Sequence, residues 1–300
     1  MAVRWHSRAV QVSAHRPAVL SSVLDYAAYD VGMSRRRAKE SPVPHIKSRD
    51  ASIYYEVHGK GPPLVLAHGA GGNTQIWWQQ VPHFSSRHRV VTFDHRCFGR
   101  STCAPESFKP EFFADDLIAV LDAEEIDRIS LVCQSMGGWT GLRMALDHPE
   151  RLTCLVLCGT PGGIVTDQII AAAQRIVKGA AESGIGGNAA LADTFQQREP
   201  GLSFLYDQIG SHNTGFSPEL LGQLANALVD PEELKSHTIP TLVISGEEDA
   251  LFPTQAIREI AGLIPGAELQ TIPESGHSPY YEVPKTFNRI VDEFLAKYAG

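Results

Sequence analysis

The amino-acid sequence predicts an α/β fold in which helices flank a doubly wound, mostly parallel β-sheet. Short hydrophobic runs without polar alternation recur along the chain, and such runs are typical of strands that are buried on both faces. Segments with helical periodicity separate these runs, at about 110–124, 137–147, 254–263 and 284–297. An alternation of strand and helix implies right-handed crossovers between parallel strands. The predicted strands are Ile53–Val57, Pro63–Ala67, Arg89–Phe93, Ile129–Cys133, Thr153–Cys158, Pro240–Ser245 and Glu268–Ile272.

One long segment interrupts this alternation. Between Gly163 and Pro240 the sequence shows no strand pattern, only helix-forming stretches such as 167–181 and 218–228. A loop of that length without secondary structure is rare in a compact domain, so the segment is predicted to be an inserted helical cap. Such an insertion lies over the carboxyl ends of the strands, where open α/β sheets bind ligands. The predicted organisation is a core of residues 46–163 and 237–300 with a cap of residues 164–236.

Residues 1–45 differ in composition from the rest of the chain. They are rich in Arg and Ala, poor in acidic residues, and contain an arginine triplet at 35–37. No continuous apolar stretch follows the first basic residues, which argues against a secretory signal. The segment is expected to be a poorly ordered extension, with Met33 as an alternative start, or an organelle-targeting segment.

Charge and composition exclude several classes of partner. The net charge of −8 and the isoelectric point near 5.8 argue against binding to nucleic acid or to an anionic membrane. No apolar run approaches the roughly 20 residues that span a bilayer, which argues against an integral membrane protein. Five cysteines without a CxxC pair are typical of reduced thiols in a reducing compartment. We therefore expect a cytoplasmic protein, monomeric or homodimeric, that acts on a small-molecule substrate.

The most specific motif is Cys133-Gln134-Ser135-Met136-Gly137. It joins a predicted buried strand to a predicted helix through a tight turn, which would expose the Ser135 hydroxyl at the top of the sheet. The amino end of the helix would lie beneath that hydroxyl, where it favours negative charge. This arrangement is typical of a catalytic nucleophile. It differs from the nucleophile elbow G-x-S-x-G in having Cys133 at the first position.

From about residue 46 to its end the chain resembles the α/β-hydrolase superfamily, in particular its smaller esterases, lactonases and carbon–carbon-bond hydrolases. The motif around Ser135 carries this resemblance, together with the order of a nucleophile, an acid and a histidine along the chain. The resemblance implies the α/β-hydrolase fold, with the cap inserted between its strands 6 and 7. It also implies a Ser–His–Asp triad that requires no cofactor.

The other two triad members have clear candidates. His277 directly follows Gly276 in the loop after the last predicted strand, from which an imidazole can reach the serine and accept its proton. Asp249 follows the preceding strand, three residues after Gly246, a spacing that matches the family and would place a carboxylate behind the imidazole. Glu248 is the main alternative for the acid.

An oxyanion hole requires two backbone N–H groups aimed at the developing negative charge. Met136, just past the serine, should supply one, and Ala70 in the glycine-rich loop 68–73 should supply the other. This loop resembles the family's His-Gly oxyanion loop, and it lacks the Gly-Lys-Ser/Thr or GxGxxG spacing of a phosphate-binding loop.

The turn 94–101 resembles a family turn that braces the site, and Cys97 and Cys133 are interpreted as packing residues. The histidines show no metal-ligand spacing, so no metal is expected.

These residues predict a serine hydrolase that cleaves a carboxylic ester or lactone of a small to medium, largely apolar substrate through an acyl-enzyme. A carbon–carbon-bond hydrolase and a cofactor-free dioxygenase of the same fold remain open, as does a non-catalytic ligand-binding receptor. In the cap, Arg175 and Arg198 are expected at the surface. Gln208, His212 and Asn213 are expected to face solvent, with the orientation of a polar part of the substrate as the alternative. The predicted pocket residues are Trp139, Gly69, Gly71, Phe204 and Tyr206.

Overall fold

A computed structural model describes residues 44–174 and 187–298. The sheet consists of β1 (His45–Ser48), β2 (Ala51–His58), β3 (Pro63–Ala67), β4 (Arg89–Phe93), β5 (Ile129–Gln134), β6 (Leu152–Cys158), β7 (Thr241–Gly246) and β8 (Glu268–Ile272). The eight strands are arranged in the order β1-β2-β4-β3-β5-β6-β7-β8. β2 pairs antiparallel with β1 and β4, and every other neighbouring pair is parallel. The predicted fold class is therefore confirmed.

Helices connect the strands and form much of the segment between β6 and β7. The α-helices with both ends in the described residues are α1 (Gln80–Phe84), α2 (Phe113–Ala123), α3 (Gly137–Asp147), α4 (Asp193–Arg198), α5 (Pro200–Ser211), α6 (Thr254–Leu263), α7 (Pro279–Glu282) and α8 (Pro284–Tyr298). Within the described residues, no helix combines the length and the hydropathy that a membrane crossing would require.

All seven predicted strands are present, with ends shifted by at most two residues. The side chains of β3 show why the apolar runs in the sequence predicted the strands. Leu64 and Leu66 enter the apolar layer on one face of the sheet, whereas Val65 and Ala67 enter the layer on the other. Both faces are covered, so every position must be apolar. The short edge strand β1 was not predicted, because only one of its four residues is buried and the strand therefore lacks a continuous apolar run.

The segment between β6 and β7 contains helices in the parts that the structure describes. Of the predicted helix over 167–181, residues 167–174 are helical and the others lie outside the described residues, as does Arg175. The predicted helix over 218–228 is a 3-10 helix at Pro218–Asn226. The predicted extension 1–45 lies outside the described residues except for its last two positions.

The prediction that all five cysteines are reduced thiols was wrong for two of them. Cys97 and Cys103 form a disulfide, with their Cα atoms 5.3 Å apart. Cys97 has a φ of 67°, and the turn between the two cysteines reverses the direction of the chain. This brings their side chains within bonding distance. The spacing of the two cysteines matches no common sequence motif. The remaining thiols, Cys133, Cys154 and Cys158, are free and buried, and burial raises the pKa of each.

Candidate active site

Ser135 lies at the turn between β5 and α3, in a strained backbone conformation. Its φ of 50° is in the left-handed region, which non-glycine residues adopt mainly at sites where the surrounding structure enforces it. The Ser135 N–H donates to the Cys158 carbonyl at the end of β6 over 2.9 Å. Ser135 is partly exposed, whereas its neighbours Gln134 and Met136 are buried. The turn therefore presents the serine at the carboxyl edge of the sheet, as the sequence predicted.

Small residues permit the close crossing of β5 and α3. A Cβ added to Gly137 would lie 2.5 Å from the carbonyl oxygen of Ala67, at the end of β3. A Cβ added to Gly141, one turn further along α3, would lie 2.7 Å from the Cys133 sulfur. Cys133 thus replaces the first glycine of the elbow motif without strain, because Gly141 leaves room for its side chain.

His277 and Asp249 form a buried hydrogen-bonded pair. The Nδ1 of His277 lies 2.9 Å from Oδ2 of Asp249, and both side chains are almost fully buried. The other oxygen, Oδ1, accepts the N–H groups of Leu251 at 2.8 Å and Phe252 at 2.9 Å. These two bonds fix the carboxylate, so that Nδ1 carries the proton and Nε2 is left free to accept one.

Glu248, the alternative acid, does not contact the histidine. Its Oε2 accepts the hydroxyl of Thr194, in the cap, at 2.6 Å. The hydrogen-bonding partners therefore favour Asp249 over Glu248 as the acid.

Two contacts place the serine loop and the histidine loop side by side. The Gln134 amide, next to the serine, donates to the His277 carbonyl over 3.2 Å. Gly159, which follows β6 with a φ of 55°, lies against the ring, because a Cβ there would be 3.1 Å from Nδ1 of His277. Any larger residue at 159 would displace the imidazole.

Three backbone N–H groups donate to the buried carboxylate of Glu282, in α7. Gly276 N lies 3.0 Å from both oxygens, Ser278 N lies 3.1 Å from Oε1, and Ala192 N lies 3.0 Å from Oε2. Gly276 and Ser278 flank His277, so Glu282 fixes the histidine loop on both sides. Burial raises the pKa of Glu282, while the three N–H groups and His277 oppose that shift. Sequence reasoning missed this residue; the available signal was an acid five positions after the histidine, at the end of the short helix that follows it.

The ring of His68 hydrogen-bonds to the predicted oxyanion loop and to the turn after β4. Its Nδ1–H donates to the Gly69 carbonyl over 2.7 Å, and its Nε2 accepts the His95 N–H at 2.9 Å. Burial lowers the pKa of His68 to about 4, so the ring is neutral near pH 7. Gly69 lies directly against the serine, since a Cβ there would be 2.7 Å from Cβ of Ser135.

The turn 94–101 supports the oxyanion loop rather than the serine. Asp94 accepts the N–H of Thr74 at 2.6 Å and that of Arg100 at 2.7 Å, which joins this turn to the end of the loop. Burial raises the pKa of Asp94 to about 6. Arg96 makes a two-bond contact with Asp116 and is fully buried.

An apolar cluster lies beside the two predicted oxyanion donors. The Trp139 Nε1–H donates to the Leu224 carbonyl over 3.2 Å, which fastens α3 to the cap at this cluster. The cluster contains Ala70, Phe98, Phe108, Phe113, Met136, Trp139, Phe216, Leu220, Leu221 and Leu224.

The remaining predicted pocket residues divide between the interior and the surface. Tyr206 is buried, and its hydroxyl lies 3.1 Å from the hydroxyl of Ser278, next to the histidine. Gly71 has a φ of 83° and no atom within 4 Å of where its Cβ would be. Phe204 does not fit its predicted role, because 65% of it is exposed. Helix α5 buries Tyr206 and Ile209, which turns Phe204 to the opposite face.

The prediction that Asn213 of the cap faces solvent was wrong. It is buried and hydrogen-bonded to the oxyanion loop, because the chain turns inward after α5. His212 is exposed, with its Nδ1 2.9 Å from Oε1 of Gln75, and Gln208 is exposed as well. Arg198 is exposed, with its guanidinium over the ring of Phe195.

Comparison with known proteins agrees with this fold. The model of the alpha/beta hydrolase fold family matches residues 62–284. The chain belongs to the α/β-hydrolase family. A relative in this family is the putative carbamate hydrolase RutD of Caulobacter sp. (strain K31), which is 30% identical over 83% of this chain and 97% of its own length.

Two further α/β hydrolases are similar along almost their whole length. The 3-oxoadipate enol-lactonase 2 of Acinetobacter baylyi is 27% identical over 86% of this chain and 99% of its own. The solved structure of Est816, described as an N-acyl homoserine lactone degrading enzyme, superposes with a TM-score of 0.71. It is 29% identical, over 84% of this chain and all of its own. The chain is accordingly a hydrolase of the α/β fold.

Proposed function

We propose that this hydrolase cleaves a carboxylic ester or lactone of a small to medium, largely apolar substrate, with Ser135, His277 and Asp249 as its catalytic residues. The observation that carries the proposal is the buried 2.9 Å contact between His277 Nδ1 and Asp249, which leaves Nε2 as a proton acceptor. The contact between Gln134 and His277 supports the placement of that acceptor beside the serine loop.

In the proposed reaction the Ser135 hydroxyl attacks the substrate carbonyl carbon while Nε2 of His277 takes its proton. The Asp249 carboxylate stabilises the imidazolium that results, and the N–H groups of Met136 and Ala70 stabilise the tetrahedral oxyanion. Collapse breaks the bond to the leaving alcohol, which receives the proton from His277. Water then attacks the acyl-enzyme with the same histidine as base, releasing the acid and restoring the serine hydroxyl.

The substrate class is inferred from the apolar cluster. Its side chains are aromatic and aliphatic, and they come both from α3 and from the cap segment 216–224. A substrate whose carbonyl reaches the N–H groups of Met136 and Ala70 would lie against these side chains, which favour apolar groups. A lactone is among the candidate substrates because one relative is an enol-lactonase and Est816 degrades an acyl lactone.

Steady-state hydrolysis of p-nitrophenyl esters of increasing chain length, and of simple lactones, tests this function in the full chain. Replacing the nucleophile should abolish the triad's contribution, so Ser135→Ala is expected to lower kcat/KM by roughly 10⁴-fold or more. Ser203→Ala is the matched control, because the Ser203 hydroxyl donates to the Glu199 carbonyl within the cap. Oxygen consumption without hydrolysis would favour a dioxygenase instead. Ligand-dependent stabilisation without any turnover would favour a receptor.

A further inference from the structure

A buried asparagine of the cap joins three segments around the predicted oxyanion loop. Asn213 follows α5, and its Nδ2 donates to the Gly71 carbonyl over 2.9 Å. Its Oδ1 accepts the Gly99 N–H at 2.9 Å and the Asn73 amide at 3.3 Å. Only 8% of the residue is exposed. One side chain therefore connects the cap, the oxyanion loop and the turn 94–101.

Neighbouring contacts hold the end of α5 against the same loop. The Asn73 amide donates to the Ile209 carbonyl over 2.9 Å. Gly210 lies close to the loop, because a Cβ there would be 3.2 Å from the Gly71 carbonyl oxygen. The Gly71 carbonyl is thus covered by the cap, and Asn213 supplies a hydrogen-bond donor to it.

The other contacts that hold this loop are made on either side of Gly71, at Gly69 and at Asn73. Gly71 has a φ of 83° and no side chain, and the space where a Cβ would lie is empty within 4 Å. The Gly72 N–H donates to the Gly69 carbonyl over 3.0 Å, which closes a turn around Ala70 and Gly71 but leaves that turn to be oriented from outside. Glycine gives the turn conformational freedom, so an external contact has a large influence on its orientation.

We propose that Asn213 is a positioning residue that holds this turn in the orientation in which the Ala70 N–H faces the substrate carbonyl. The inference rests on the proposed function, since it concerns the oxyanion hole of that reaction. The oxyanion carries full charge only at the tetrahedral stage, so a displaced N–H weakens the transition state more than the ground state. The effect should fall on kcat rather than on KM.

Two substitutions test the proposal in the full chain. Asn213→Asp keeps the size of the side chain and an oxygen for Gly99 N, but places an oxygen against the Gly71 carbonyl. Asn213→Ala removes all three hydrogen bonds of the side chain. His212→Ala is the matched control, because it removes the neighbouring contact between the cap and Gln75 on the exposed side.

The readouts are kcat and KM for p-nitrophenyl butyrate, the inhibition constant of a phenylboronic acid, and the thermal unfolding midpoint. A boronic acid forms a tetrahedral adduct with an active serine, so its affinity follows the state of the oxyanion hole. For Asn213→Asp we expect kcat to fall roughly 10- to 100-fold and boronic acid affinity to fall by a similar factor. KM should change less than about threefold, and His212→Ala should behave like wild type.

The proposal is overturned if Asn213→Asp retains wild-type kcat and boronic acid affinity, or if its losses fall on KM alone. If the wild-type chain hydrolyses esters or lactones and Asn213→Asp has the same kcat and boronic acid affinity, this inference is overturned and the proposed function stays intact. A wild-type chain that hydrolyses neither overturns both. If Asn213→Ala does not fold, Asn213→Asp still decides the question.

Discussion

The carboxyl edge of the sheet and the cap position their functional residues in different ways. At the sheet edge, backbone hydrogen bonds of 2.9 Å continue the ladder beyond the strands, from Ser135 N to Cys158 O, from Gly159 N to Ile244 O, and from Glu247 N to Ile272 O. The cap is joined to the same edge mainly through side chains, such as those of Asn213 and Tyr206. Backbone positions are set by the fold, whereas side-chain contacts change with a single substitution. The triad is therefore expected to be rigid, and the cap is where the substrate preference can be altered.

Of the comparisons between the sheet edge and the cap, the proposed acid of the triad offers the largest effect. Asp249→Asn should lower kcat/KM by roughly 10³- to 10⁴-fold, because the amide oxygen would stay with the N–H groups of Leu251 and Phe252 and turn its NH₂ towards His277. The imidazole would then be forced into the wrong tautomer. Glu248→Gln changes a side chain that accepts the hydroxyl of Thr194 in the cap, so it should change kcat/KM by less than about threefold. Equal losses in the two variants, measured by steady-state kinetics, would contradict the assignment of the acid.

Paired glycine substitutions compare the packing of the two regions. Gly137→Ala should lower the free energy of unfolding by about 2–3 kcal/mol, because its Cβ would overlap the Ala67 carbonyl between α3 and β3. Gly222→Ala, in the cap, meets no atom within 4 Å and should change stability by less than about 1 kcal/mol. Urea unfolding of both variants checks this. A cap variant that is as unstable as the sheet variant would show that the cap is packed as tightly as the core.

His68 gives the sheet edge a dependence on pH that a substitution can isolate. Its folded-state pKa of about 4 lies below the ordinary histidine value of 6.5, so between these values the unfolded chain binds the proton and the folded chain does not. The contribution of His68 to stability is therefore complete above pH 6.5 and is lost as the pH falls towards 4, by about 3 kcal/mol. His68→Asn removes this dependence, so the stability difference between wild type and variant should shrink over that range. The free energies of unfolding of wild type and His68→Asn are measured by chemical denaturation across this pH range. A constant difference between them would contradict a neutral buried His68.

The sequence was sufficient to predict seven of the eight strands and to name candidate catalytic residues, because both leave local patterns. β3, buried on both faces, is apolar at every position, and the Ser135 turn requires small residues at fixed distances from it. The role of Asn213 and the exposure of Phe204 depend on how α5 is rotated against the core, which no local pattern encodes. The Cys97–Cys103 disulfide likewise depends on the path of a turn. What sequence missed therefore lies mainly in the cap and in the turns that contact it.

Labelling with a fluorophosphonate is the most direct test of whether Ser135 is an activated nucleophile. The modified peptide is located by mass spectrometry. We predict a single label on the peptide that contains Ser135, loss of that label in Ser135→Ala, and strong reduction of labelling in His277→Gln. Only a serine whose proton is taken by a positioned base reacts in this way. A folded wild-type chain that remains unlabelled, or a label that persists in Ser135→Ala, would contradict it.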